Sequence, residues 1–149
     1  MKKVVLTGLA LCLISCSDKV LDTKQSDSGS NNDFNLTLTI SDDIVYLNSS
    51  IKVTAVIKRK IDGTSITENM MMDAVGGSID GHSFSTSSSI TVSMDESVGS
   101  QFEALAFFLP TYSYNTSKKE YYNFMGKGQV SASFDNINVT IPVNMVEPR

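Results

Sequence analysis

From Phe34 onward the chain alternates apolar and polar positions with a period of two. Leu36, Leu38 and Ile40 alternate with Asn35, Thr37 and Thr39, as a strand with one buried face requires. Ser41-Asp42-Asp43 marks a turn, and Ile44 to Leu47 a short extended piece. After Asn48-Ser49-Ser50, Ile51, Val53, Ala55 and Ile57 alternate with Lys52, Thr54 and Lys58. Asp62-Gly63 predicts a tight hairpin, because a type I′ turn needs positive φ at both central residues. Thr64 to Ala74 is then the returning strand, ended by Gly76-Gly77, and Asp80-Gly81 marks another turn. Ile90, Val92 and Met94 alternate with Thr91 and Ser93. Phe102 to Leu109 is apolar on both faces apart from Glu103, the composition of a central strand covered on both sides, and Pro110 stops it. Val130, Ala132 and Phe134 alternate with serines, Asp135-Asn136 turns, and Val139, Ile141, Val143 and Met145 alternate with polar residues. Pro142 in this last strand predicts a sheet edge, or a prolyl nitrogen facing away from the ladder. No apolar stripe of helical period appears after residue 16. About eight short strands separated by turns predict an all-β antiparallel sandwich over residues 34–149, with a small antiparallel barrel as the alternative.

The order of elements between 36 and 109 resembles that of bacterial immunoglobulin-like domains: a first strand, an Asp-rich turn, a valine-alternating second strand and a late strand of the type Phe-x-Ala-x-Ala. The resemblance implies an immunoglobulin-like sandwich. A hairpin at Asp62-Gly63 would depart from it, because it would pair strands that the immunoglobulin topology places in different sheets. The Cys…Trp…Cys hallmark is missing.

The first residues are of another kind. Lys2 and Lys3 precede an apolar run, Val4 to Ser15, of 12 residues. A spanning helix needs roughly 20, so this reads as a signal peptide. Leu13-Ile14-Ser15-Cys16 resembles the lipobox of bacterial lipoproteins. The resemblance implies removal of residues 1–15, acylation of Cys16 and attachment to the bacterial envelope. Ser17 rather than Asp after the cysteine resembles the outer-membrane sorting pattern of enterobacteria. Two or more acyl chains anchor stably, at about 0.8 kcal/mol per buried methylene. Residues 17–33 are small, polar and acidic, with almost nothing to bury, and predict a flexible tether spanning roughly 20–25 Å.

Charge and cysteine content narrow the field. Loss of Lys2 and Lys3 leaves 10 basic residues against 16 acidic ones, so the processed chain carries a net −6. Nucleic acid needs a basic footprint and is not an expected partner. Cys12 leaves with the signal and Cys16 is consumed by lipid, so neither disulfide nor thiol chemistry remains.

Catalytic signals are sparse. His82, the one histidine, lies among serines beside a turn, where a triad would need a base oriented by an acid. The carboxylates of Asp42-Asp43, Asp62, Asp80 and Asp95-Glu96 match no twelve-residue calcium loop and read first as turn formers, although loops at one end of a sandwich could converge on a cation. Gly126-Lys127-Gly128 is too short for a phosphate loop. In the Met70-Met71-Met72 run only the outer two share a strand face, which suits core filling rather than soft-metal binding. No cofactor, metal or enzymatic activity is expected.

The segment 111–124 stands apart. It holds Tyr112, Tyr114, Tyr121, Tyr122 and Phe124, with Asn115-Thr116-Ser117-Lys118-Lys119 between the pairs. Tyrosine brings a large rigid surface with a polar tip, which suits a contact with a protein or stacking on a sugar. The plainer expectation is a hairpin in which Tyr112 and Tyr114 face Tyr122 and Phe124. The expected function is therefore a tethered, non-catalytic domain for protein interaction or adhesion, with carbohydrate binding through the tyrosines as the alternative.

Overall fold

The computed structural model describes residues 23–79 and 85–148. Twelve strands occur there: β1 (Gln25–Ser30), β2 (Phe34–Ile40), β3 (Ile44–Tyr46), β4 (Ile51–Arg59), β5 (Ile66–Val75), β6 (Gly77–Ile79), β7 (Ser87–Met94), β8 (Gln101–Pro110), β9 (Ser113–Asn115), β10 (Glu120–Tyr122), β11 (Lys127–Phe134) and β12 (Ile137–Val146). One sheet runs β1-β2-β4-β8-β6, the other β3-β12-β11-β5-β7, and β9 and β10 pair only with each other.

The two large sheets pack face to face as an immunoglobulin-like sandwich. Strands β2, β4, β8 and β6 take the places of A, B, E and D, and β12, β11 and β5 those of G, F and C. β7 widens the second sheet where variable-type domains add a further strand. One feature differs: the strand in the D place precedes β7 in the chain, because β5 runs through Gly76 straight into β6 in the opposite sheet. Gly76 has φ +84°, a left-handed conformation at which a side chain would be strained. Pairing is antiparallel except for β3, which lies parallel to β12.

The core is the inward half of the period-two pattern. Leu36, Leu38 and Ile40 meet Val53, Ala55 and Ile57 across one sheet, and Val130, Ala132, Val139, Ile141 and Val143 line the other. Met70 and Met72 are fully buried while Met71 lies on the outer face, as strand alternation requires. Phe34 and Phe134 stack edge to face across the sandwich, with centroids 5.3 Å apart.

Three expectations are corrected. Asp62-Gly63 makes no hairpin: β4 and β5 lie in different sheets, and the chain crosses between them there. The two-residue turn with positive φ at both centres falls instead at Asp135-Asn136, with φ 43° and 63°, joining β11 to β12. Phe102 to Leu109 is not covered on both faces, for Leu105 and Phe107 are 52% and 46% exposed. The segment 17–33 is not all tether: Gln25–Ser30 pairs in full with β2, so the folded domain begins before residue 34. A polar segment with no apolar face can still add to a sheet edge, because its backbone supplies the ladder. Asn31 closes the β1–β2 turn, accepting from the Asp33 and Phe34 amides and donating to Asp135.

Pro142 follows the second of its two alternatives. It sits opposite Gln129 of β11, while β3 pairs only with Asn144–Val146. The Asn144 amide donates to Asp43 on the β3 side, so two residues earlier the prolyl nitrogen points away from β11 and past the end of β3.

Candidate functional site: an aromatic hairpin

Strand β8 ends at Pro110, and the chain leaves the sandwich for the small hairpin β9–β10 before returning as β11. Its turn is Thr116 to Lys119. The Asn115 side-chain oxygen accepts from the amides of Ser117 and Lys118, each at 3.0 Å, and Lys119 closes the turn with φ 56°. Asparagine suits the first position because its side chain can substitute for a backbone acceptor.

Register decides which rings meet. Asn115 opposes Glu120, Tyr114 opposes Tyr121, and Ser113 opposes Tyr122. Tyr114 and Tyr121 are thus cross-strand neighbours, with centroids 4.8 Å apart and planes at 51°. Tyr112 meets Tyr121 edge to face at 5.3 Å and 63°. Tyr121 is the hub: it is half-buried and packs against the core. Partial burial first, then the charges of Tyr112, Tyr114 and Glu147, hold its phenol above the ordinary value of 10.0. Tyr112 and Tyr114 remain exposed, at 38% and 44%.

The remaining two aromatics part company with these three. Tyr122 points to the other face of the hairpin, opposite Ser113, and is 48% exposed. Phe124 is half-buried against the core. Tyr112 and Tyr114 therefore meet Tyr121, not Tyr122 and Phe124. Two concavities of the surface lie elsewhere, one beside Arg59 and Lys60, another over Thr39, Thr54 and Glu103. The hairpin presents Tyr112, Tyr114 and Tyr122 as exposed rings.

Cys16 and His82 lie outside the described residues. Among the described residues no group of three or more His, Cys, Asp or Glu side chains is placed to hold a metal ion. Two of the acidic turns, at Asp42 and Asp62, have backbone work instead, and Asp80 lies outside the described residues. Asp42 accepts from the Ile44 amide at 2.9 Å and from Thr23, and Asp62 accepts from the Val98 amide at 2.7 Å.

Two features lie outside the sequence expectations. Arg59 ends β4 on the inward face, in line with Ile57, and is only 4% exposed. Its guanidinium lies 5.1 Å from the Phe34 centroid and donates to the Thr64 carbonyl at 2.9 Å, while Nε has no partner among the described residues. The signal was its parity: Ile51, Val53, Ala55 and Ile57 put position 59 inward. The second feature is the exposed pair Leu105 and Phe107.

No protein-family model matches the chain, and no curated protein matches it. Solved structures do resemble it. A β-glucosidase from Erythrobacter marinus superposes with a TM-score of 0.51 at 10% identity, covering 83% of this chain and 16% of that one. A β-glucosidase from Listeria innocua in complex with glucose gives a TM-score of 0.47 at 15% identity, covering 82% and 16%. The chain thus spans about one-sixth of the length of these proteins. At such identity the likeness is one of fold alone.

Proposed function

We propose that this protein is a lipid-anchored domain of the bacterial envelope that binds another protein through its aromatic hairpin, without catalysis. The observation that carries the reading is the three-ring cluster. Tyr121 is seated against the core and holds Tyr112 and Tyr114 outward on a projecting element. Pre-ordered tyrosines lose little entropy on contact and are frequent anchors of protein interfaces. The lipobox-like Leu13-Ile14-Ser15-Cys16 supports the anchor and, with Ser17, an outer-membrane location.

Carbohydrate binding is the second reading, because an exposed tyrosine ring can stack on a sugar. The tilts of 51° and 63° favour the first, since they leave Tyr112, Tyr114 and Tyr121 without a common flat platform. A Tyr112→Ser, Tyr114→Ser double variant of the full chain separates the two. Loss of a co-purifying envelope protein supports the protein reading. Loss of signal on a glycan array supports the sugar reading. Retention of every wild-type interaction overturns both. The anchor is tested by Cys16→Ser: palmitate incorporation and membrane fractionation should both be lost, and a variant that still fractionates with membranes would contradict it.

A further inference from the structure

The outer face of the β1-β2-β4-β8 sheet is built almost wholly of polar side chains. Leu36, Leu38, Val53 and Ala55 are buried, so alternation turns their strand neighbours outward. The ladder registers then set these outward residues side by side. Asn35 lies between a β1 serine and Lys58, Thr37 beside Val56, and Thr39 beside Thr54. Glu103 of β8 follows Val56 in the same row. Lys52 and Lys58 stand six residues apart on β4, about 20 Å along the strand. Short hydroxyl side chains between longer lysines leave hollows. One of about 450 Å³ lies over Thr39, Thr54 and Glu103, and one of about 300 Å³ over Asn35 and Thr37. A third, of about 520 Å³, lies beside Lys58 and Lys60.

The charge here runs against that of the whole. The processed chain is acidic, yet Lys52, Lys58 and Lys60 border this face and Glu103 is the one carboxylate lining the three hollows. Its polar groups are also unspent. Among the described residues no hydrogen bond or ion pair engages the side chains of Asn35, Thr37, Thr54, Lys58 or Glu103.

We propose that this face binds a chain of an acidic polysaccharide, laid along β4 from Lys52 to Lys58. The lysines pair with the carboxylate or sulfate groups of the chain. Thr37, Thr39 and Thr54 each both donate and accept, as sugar hydroxyls do, and Glu103 accepts from hydroxyls alone. A protein partner calls for an apolar, charge-poor centre, and Val56 is the one apolar residue among the threonines. Nucleic acid calls for a denser basic stripe. The aromatic hairpin takes no part in this site.

Titration of the full-length chain in detergent micelles tests the site. The probes are polygalacturonate for carboxylate, heparin for sulfate, dextran as a neutral glycan and poly-glutamate as an acidic polypeptide. At least one of the two acidic glycans should bind more tightly than dextran and poly-glutamate. A Lys52→Gln, Lys58→Gln variant should weaken that binding about tenfold or more. A Thr37→Val, Thr54→Val variant keeps shape and charge and should weaken it severalfold, because hydroxyl contacts are lost. Tyr112→Ser with Tyr114→Ser should leave it unchanged, which separates this site from sugar binding at the hairpin. Failure of both acidic glycans to bind, equal binding of dextran or poly-glutamate, or dependence on the lysines without the threonines would each overturn the proposal. Loss of binding with the tyrosine pair would also overturn it.

Discussion

Arg59 and Tyr121 show how single side chains hold this fold. Arg59 is a buried cation with one side-chain hydrogen bond among the described residues, set over the Phe34 ring. Replacing a buried charge by an apolar side chain of similar length is often neutral or stabilising. Arg59→Met should therefore change stability to urea little, whereas Arg59→Ala, which opens a void beside Phe34, should cost about 2–4 kcal/mol. If methionine costs as much as alanine, the guanidinium is bound more strongly than its contacts indicate.

Tyr121 gives a pH signature. Its phenol is raised in the folded chain, so above the ordinary value of 10.0 the unfolded chain loses this proton first. The folded state then binds more protons than the unfolded state, and stability falls as pH rises. Tyr121→Phe removes that slope. Urea unfolding at about pH 9 and about pH 11 should show the Phe variant gaining on the wild type as pH rises. A difference unchanged between the two would contradict the seating of Tyr121 among Tyr112, Tyr114 and Glu147.

Among the elements, β1 and the β5–β6 corner are most open to test. Strand β1 has a polar sequence, yet Gly29 lies where a Cβ would come within 2.7 Å of Ile137 and within 3.3 Å of Val139, side chains of the opposite sheet. The strand is thus pressed onto the core, and its β2-facing amides should exchange hydrogen well below unfolded-chain rates. Exchange at the unfolded rate would restore the flexible tether over this stretch. At the corner, Gly76→Ala forces a side chain into the left-handed region beside Met145 and should cost about 1–2 kcal/mol, read as a lower urea midpoint.

These elements also mark where sequence reasoning stopped. Alternation located β2, β4, β11 and β12 and the buried pair Met70 and Met72, because each has one face in the core. It could not find β1, whose pairing is by backbone alone. It read Leu105 and Phe107 as buried, since a pattern of residue types does not distinguish a covered apolar face from an exposed one. Asp62-Gly63 carried the right residues for a hairpin, but the flanking strands belong to different sheets. In the aromatic segment the rings were named but mispaired by one residue. Tyr114 opposes Tyr121 rather than Tyr122, and a slip of one residue in a ladder exchanges its faces.

At the scale of the molecule, two packed sheets carry the aromatic hairpin on the connection between β8 and β11. The outer face of the β12 sheet is polar, with Asn138, Thr140 and Asn144 along its strand, so it offers a contrasting surface. Whether the hairpin is the contact surface is read by site-specific photo-crosslinking in cells, with the probe placed at Tyr114 and, in a separate chain, at exposed Asn138. A discrete adduct with another envelope protein at position 114 and none at 138 is the expected result. No adduct at 114, or the same adduct from both positions, would contradict it.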